Sequence, residues 1–272
     1  MSDPFRATNE IDYIWSMPWQ VKTERLLWIE VMCFHMEYGV IPHDRRAMRS
    51  YQNAVDLVNL RSINQRELVT KHDVKARIEE FNHLANYLAM REDRFELIHL
   101  GMTSADVVDN IALIRMKETI AVWLRDKTIT ADADVKSFLA KASEDIPFRG
   151  IKGAVGTQQD QLDLLGSQEL CDRLDAEVAM AFGFADKVLT NTGQVYPRSI
   201  DWQTVSQVMG ATYLIPQVAR PWRVLMNGYA NMVSEYSGSQ WNEGDVTTSS
   251  IRRVALPGFF QAADLALRGV KP

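Results

Sequence analysis

"IHLGMTSADVVDNIALIRMKETIAVWLR", Ile98 to Arg125, sets two patterns end to end. Its second half carries Val108, Ile111, Ala112, Ile114 and Ile120 as the apolar positions of a helix-length run. That run predicts a helix over 105–125. The first half crowds His99, Gly101, Thr103, Ser104, Asp106 and Asp109 around the point where this helix begins. Ser104 can cap the helix and Gly101 can supply the turn before it. Neither role uses His99 or the second hydroxyl, so the start of the helix is also a candidate site.

Helical patterning runs outward in both directions. Thr23 to Tyr38 reads as a helix with Leu27, Val31, Phe34 and Tyr38 on one stripe, Thr23 as cap and Gly39 as stop. Val74, Ile78, Phe81, Leu84 and Leu88 mark another helix. A short one fits Asp132 to Ser143, and a long one fits Gln159 to Phe182 through Leu162, Leu165, Leu170, Leu174, Val178 and Met180. Asp201 to Ser237 is apolar and helical in period, with Pro216 and Pro221 expected to kink or break it. Strand signals are scarce. The fold class is therefore all-α, a helical bundle. "PFRGIKGAVGTQ" (Pro147 to Gln158) reads as an ordered glycine loop. Gly150, Gly153 and Gly156 miss the P-loop spacing, so a tight structural turn is the simpler reading, although its amides can cradle an anion.

Composition excludes several classes. A net charge of −5 without a Lys/Arg tract argues against a nucleic-acid binder. Cys33 and Cys171 are far apart and lack metal-ligand spacing, which argues against a disulfide scaffold or zinc site and points to a reducing compartment. The start "MSDPFRATNE" has no apolar signal core, and no apolar run reaches membrane-spanning length. The expectation is a cytoplasmic protein.

Four polar islands interrupt the helical pattern. "TKHDVKA" holds Lys71, His72 and Asp73, where a carboxylate can orient an imidazole, or the trio can simply start a helix. "HLGMTSADVVDN" is the second. "TGQVYPRSID" carries Thr192, Gln194, Tyr196 and Arg198. "QWNEGDVTTSSIRRVALP" packs Thr247, Thr248, Ser249, Ser250, Arg252 and Arg253 together; that chemistry suits a phosphate or carboxylate, and equally a solvated helix start.

"KHDV", "HLGMTSADVVDN", "FRGIKGAVGTQ", "TGQVYPRSID" and "WNEGDVTTSSIRRVALP" follow the order found in adenylosuccinate lyases, and over about Ile14 to Phe260 the chain resembles that family of the fumarase/aspartase superfamily. The resemblance implies a homotetramer on a long helical bundle, with active sites shared between subunits and no metal or organic cofactor. It implies an N-terminal helical domain over 1–104 and a shortened central bundle over 105–272. The implied reaction is β-elimination of fumarate from adenylosuccinate, giving AMP, and from the succinylated aminoimidazole carboxamide ribotide of purine synthesis. By the same resemblance Thr103 and Ser104 would donate to the succinyl carboxylates, and His99 would help hold the substrate. Lys71, where many relatives carry arginine, would stand with His72 and Asp73 on the phosphate or ribose side. Gln194 would bind substrate, and Ser249 and Arg253 the nucleotide phosphate. Gly244 stands where some relatives have a further arginine.

The chain departs from the family pattern at the proton-transfer groups. The family's acid is a histidine in the long helical stretch after the Thr-Ser motif, and residues 116–150 contain none. Its base is a serine on a loop reading like S-S-x-M-P-x-K-x-N, and Gly210 to Gly238 passes directly into the fourth island without it. The family's C-terminal helical domain is also missing from the expected layout. His99 is the remaining catalytic candidate, so the activity expected of the chain alone is low. A different class of role is a non-catalytic nucleotide-binding or regulatory subunit assembling with a full-length lyase. A structural helical remnant without ligand is the third.

Overall fold

Side-chain periodicity translates directly into helices. The computed structural model describes residues 9–129, 133–154, 157–184, 188–189, 220–236 and 249–269. The elements are α1 (Asn9–Ile14), α2 (Met17–Glu37), α3 (Arg45–Ala54), α4 (Leu60–Thr70), α5 (Asp73–Ala89), α6 (Ser104–Arg125), α7 (Ala133–Asp145), β1 (Phe148–Arg149), α8 (Gln159–Leu165), α9 (Gln168–Ala181), β2 (Val188–Leu189), α10 (Arg220–Tyr236) and α11 (Ser249–Leu267). The all-α expectation holds; among the described residues the β structure is the two-residue pairing of β1 with β2.

Local chemistry sets most of the ends. Gly39, at φ +71°, closes α2 as expected. Thr23 does not cap it: α2 starts at Met17, and the Thr23 hydroxyl donates to the Trp19 carbonyl inside the helix, 2.9 Å away. Pro18 is tolerated there because the first turn has no amide partner to lose. The helix expected over 159–182 is two helices. Gly166 (φ +77°) ends α8, and the Ser167 hydroxyl accepts from the Leu170 amide to start α9. The apolar stripe continues across that break, so periodicity alone does not reveal it. Of the segment expected over 201–237, residues 201–219 lie outside the described residues, and α10 covers most of the rest, with Pro221 harmless in its first turn.

The chain forms two compact units. One comprises residues 17–111 and 149–194. Here α3 and α4 pack on α5, and α2 packs on α3 and α9. Four charges are buried between α2 and α5. Arg25 on α2 pairs with Glu80 on α5, and Arg77 on α5 pairs with Glu24 on α2 at 2.5 Å; all four are essentially inaccessible to solvent. Burial pushes both carboxyls up and the Arg25 guanidinium down, while the partner charges oppose those shifts. Arg25 also donates to the carbonyls of Ala54 and Val55 at 2.6 and 3.0 Å, satisfying the end of α3, and its guanidinium lies over the Phe81 ring.

The other unit comprises residues 1–16, 112–148 and 195–272. Here α10 packs along α11, and α1 packs against α11. Phe260 on α11 stacks on Trp15 with centroids 4.9 Å apart. The buried Asp264 carboxylate accepts from the Trp123 indole at 3.0 Å and from Arg268 at 2.9 Å, tying α6 to α11. Helix α6 contributes to both units, its first two turns to one and the remainder to the other.

Removing one member of a buried ion pair strands the other charge, at a cost of about 3–5 kcal/mol. Glu80→Ala is therefore expected to lower unfolding stability by roughly that amount, measured by urea denaturation at pH 7. A loss within experimental error of zero would show that the pair is not buried as described.

Candidate functional site

The candidate site is built on the start of α6. Thr103 occupies the cap position and Ser104 is already helical, so the cap falls one residue earlier than the sequence suggested. The closing contact comes from Asp106: its Oδ2 accepts from the Thr103 amide at 2.9 Å, the return half of a capping box. Gly101, at φ +63°, makes the preceding turn as expected. Gln161 on α8 braces it, donating to the carbonyls of Leu100 and Gly101 at 3.0 and 2.9 Å. The other end of Gln161 meets Nε2 of the fully buried His35 at 2.9 Å.

Asp106 also reaches the glycine loop. Oδ1 accepts from the Lys152 amide at 2.9 Å and Oδ2 from the Gly153 amide at 3.0 Å. Asn110, one helical turn on, grips both backbone groups of Arg149, accepting its amide at 2.8 Å and donating to its carbonyl at 2.9 Å. Asp175 on α9 accepts from the Ile151 amide and the Gln158 side chain, each at 2.7 Å. Asp160 accepts from the Ala154 amide at 2.6 Å. At Gly153, φ is +72° and an added Cβ would lie 2.2 Å from Asp160 Oδ2. The loop is thus an anion cradle whose amides are filled by the chain's own carboxylates. This resolves the open sequence reading: the amides of 151–154 serve structure and are not offered to a phosphate.

These carboxylates are buried, and burial raises their affinity for protons. Asp106 is pushed up to about 7 against the pull of its three amide donors and the Lys152 ammonium. Asp175 is pushed up to about 8 by burial. Lys152 is pushed down to about 7, by burial first and the Arg149 charge second, while the surrounding aspartates resist.

His99 lies at φ +65° and is half-buried. The indole N–H of Trp28, on α2, donates to its Nδ1 at 3.0 Å, with the two rings edge to face. Burial, followed by the charge of nearby His72, pushes the His99 imidazole down to about 4. His99 is therefore neutral at pH 7. His72 itself caps α5: its Nδ1 accepts from the Lys75 amide at 3.3 Å. Asp73 approaches the same nitrogen no closer than 3.8 Å, beyond hydrogen-bond reach. Asp73 turns instead to Arg77, 3.3 Å away. Lys71, exposed and at φ +55°, closes α4 with its backbone.

Lys71, His72, Asp73, His99, Thr103 and Ser104 all belong to the unit of 17–111 and 149–194. Arg253 belongs to the other unit and is exposed on α11; Ser249 opens that helix. Gln194 lies outside the described residues. A cleft of about 570 Å³, bordered by Arg66, His83, Tyr87, Arg94 and Glu96 among others, involves none of these site residues. The two thiols are uncombined, and burial raises that of Cys171 to about 11, far from a reactive thiolate.

Sequence reasoning placed Asp106 in the polar cluster without its clamping role, and missed the other supports: Trp28, Asn110, Lys152, Gln161 and Asp175. Asp106 and Asn110 carried a usable signal, since residues four apart share a helix face and both are polar inside an apolar pattern. Trp28 and Gln161 carried none, because their partners are distant in sequence. Asp106→Ala would strand three backbone amides, each costing about 1–3 kcal/mol when buried and unsatisfied. We expect a stability loss on the order of 3 kcal/mol or more by denaturant titration at pH 8; a loss comparable to that of an exposed aspartate would refute the clamp.

No protein-family model matches the chain. It is 24% identical over 342 positions to adenylosuccinate lyase of Saccharomyces cerevisiae, covering 96% of this chain and 69% of that enzyme. It is 25% identical over 262 positions to adenylosuccinate lyase of Schizosaccharomyces pombe, covering 81% of this chain and 53% of that enzyme. The alignment to the S. cerevisiae enzyme is longer than the 272-residue chain, so internal segments of that enzyme have no counterpart here. Among solved structures, β-carboxy-cis,cis-muconate cycloisomerase from Acinetobacter calcoaceticus superposes with a TM-score of 0.68 at 14% identity, over 98% of this chain and 75% of that one. A fumarate lyase from Mesorhizobium gives 0.63 at 13%, over 99% and 75%. At these identities the structures establish fold alone. The chain is thus similar to adenylosuccinate lyases over most of its own length, spans about half to two thirds of theirs, and shares its helical fold with these solved structures.

Proposed function

We propose that the chain is an adenylosuccinate lyase-like protein that binds a succinylated purine nucleotide and, alone, releases fumarate slowly or not at all. The carrying observation is the Thr103–Ser104 turn at the start of α6, held rigid by Asp106 beside a neutral His99. The positive end of a helix and two hydroxyls suit a carboxylate. On this reading Thr103 and Ser104 hold the succinyl carboxylates. Lys71, His72 and Asp73 line the phosphate or ribose side, Gln194 binds substrate, and Ser249 and Arg253 take the phosphate. His99 is the catalytic candidate that remains. The family reaction needs a base to remove the proton next to a carboxylate and an acid for the departing nitrogen. An imidazole with a depressed proton affinity is a poor base, and one that is neutral at pH 7 holds no ready proton for the departing nitrogen.

A second reading, a nucleotide-binding subunit assembling with a full-length lyase, is favoured by the internal segments of the S. cerevisiae enzyme that lack counterparts here. Self-association as a homo-oligomer fits the exposed Val224 and Leu225 on α10 and Val254 on α11. A place in cytoplasmic purine biosynthesis belongs to the same proposal. It is compatible with the finding that no helix among the described residues is long and apolar enough to cross a membrane.

Two measurements test this. Fumarate release from adenylosuccinate by the purified chain is expected at or near background, since a proton-transfer group contributes about 10²–10⁴-fold. Mixing with a full-length lyase distinguishes the readings: a changed rate supports the subunit role, and an ordinary family rate from the chain alone defeats the proposal. AMP binding by calorimetry is expected to weaken in Arg253→Ala by roughly 1.5–3 kcal/mol, the worth of a charge-assisted contact. Equal affinity with an intact fold removes Arg253 from the site.

A further inference from the structure

The contact between Trp28 and His99 decides which face of the imidazole is chemically useful. Trp28 is fully buried in α2 and its ring stacks on Phe81, centroids 6.3 Å apart, so the indole has little freedom to turn away. Indole nitrogen is a donor only. The nitrogen it meets, His99 Nδ1 at 3.0 Å, must present a lone pair. In a neutral imidazole the proton then sits on Nε2. Protonating Nδ1 as well would set two N–H groups against each other in a buried contact, an unmet donor on each side.

We infer that Trp28 is a positioning residue that locks His99 in its Nε2–H tautomer, so that His99 can act only as a hydrogen-bond donor toward a bound carboxylate or other oxygen. The ligand half of this inference rests on the carboxylate-binding reading of the Thr103–Ser104 turn; the tautomer half does not. The lock makes His99 unsuited to accept a proton through Nδ1. It gives the neutral ring one defined donor on the same turn as the Thr103 and Ser104 hydroxyls. A carboxylate docked there would meet a fixed donor in Nε2–H and two hydroxyls that can rotate to donate.

The test is a long-range proton–nitrogen NMR correlation on the full, uniformly nitrogen-15-labelled chain, which distinguishes a bare ring nitrogen from a protonated one. In the unliganded protein at pH 7, His99 is expected to show bare Nδ1 and protonated Nε2. A protonated Nδ1 overturns the inference outright, with no variant required. Trp28→Phe keeps an aromatic ring against Phe81 and deletes the donor. Its His99 is expected to become a mixture of tautomers with a higher titration midpoint, and succinate, used as the carboxylate probe, to bind about five- to tenfold more weakly. An unchanged, fully Nε2-protonated His99 in a folded Trp28→Phe also overturns the inference. A shifted tautomer with no succinate binding by either protein upholds the Trp28 lock and defeats the reading of the turn as a carboxylate site.

Discussion

One buried carboxylate organises the candidate site. Asp106 accepts from the amides of Thr103, Lys152 and Gly153, and so joins the cap of α6 to a loop nearly fifty residues away in sequence. A charge that deep is tolerable only when its oxygens are met, and here backbone donors meet them. The arrangement serves both partners. The loop amides would otherwise be stranded, and the helix start would have an open donor. Thr103 and Ser104 therefore project from a turn whose backbone is held on two sides, by Asp106 from within the helix and by Gln161 from α8.

Much of the fold was legible because amphipathic helices write their period into the sequence. The boundaries of α5, α6 and α7 follow it closely. It failed where periodicity and chain geometry part company. The stripe from Leu162 to Met180 runs through Gly166 as though the helix were continuous, and left-handed backbone at one glycine breaks it. Helices α1, α3 and α4 escaped notice because they are short or mostly polar, α3 being held by Asp44, whose carboxylate caps its first amides. The four charges buried between α2 and α5 were invisible for a different reason. Arg25, Glu24, Arg77 and Glu80 read as a solvated face until their pairing is known.

The site was legible in part. Its hydroxyl turn and the His72–Asp73 pair were found as polar islands and through family resemblance, whereas the residues that set their chemistry were not. His72 illustrates the difference: its neighbour Asp73 suggested a carboxylate orienting the ring, whereas the ring nitrogen accepts from the Lys75 amide at the start of α5 and the carboxylate bonds Arg77. His99 is the converse. Nothing in the local sequence indicates that an indole seventy-one residues earlier will occupy one of its nitrogens.

The glycine loop also constrains how this sequence can drift. At Gly153 a side chain is opposed twice, once by the left-handed backbone and once by the Asp160 carboxylate that would lie 2.2 Å from its Cβ. Asp160 is in turn engaged with the Ala154 amide. Substitution at position 153 before any change at 160 meets a steric wall, and shrinking residue 160 first leaves the amide of 154 without its acceptor. The two positions form an epistatic pair with a preferred order of change, in which the loss at 160 must be absorbed before any gain at 153 becomes accessible. A lineage carrying this loop would explore sequence space more slowly here than along the helical surfaces around it.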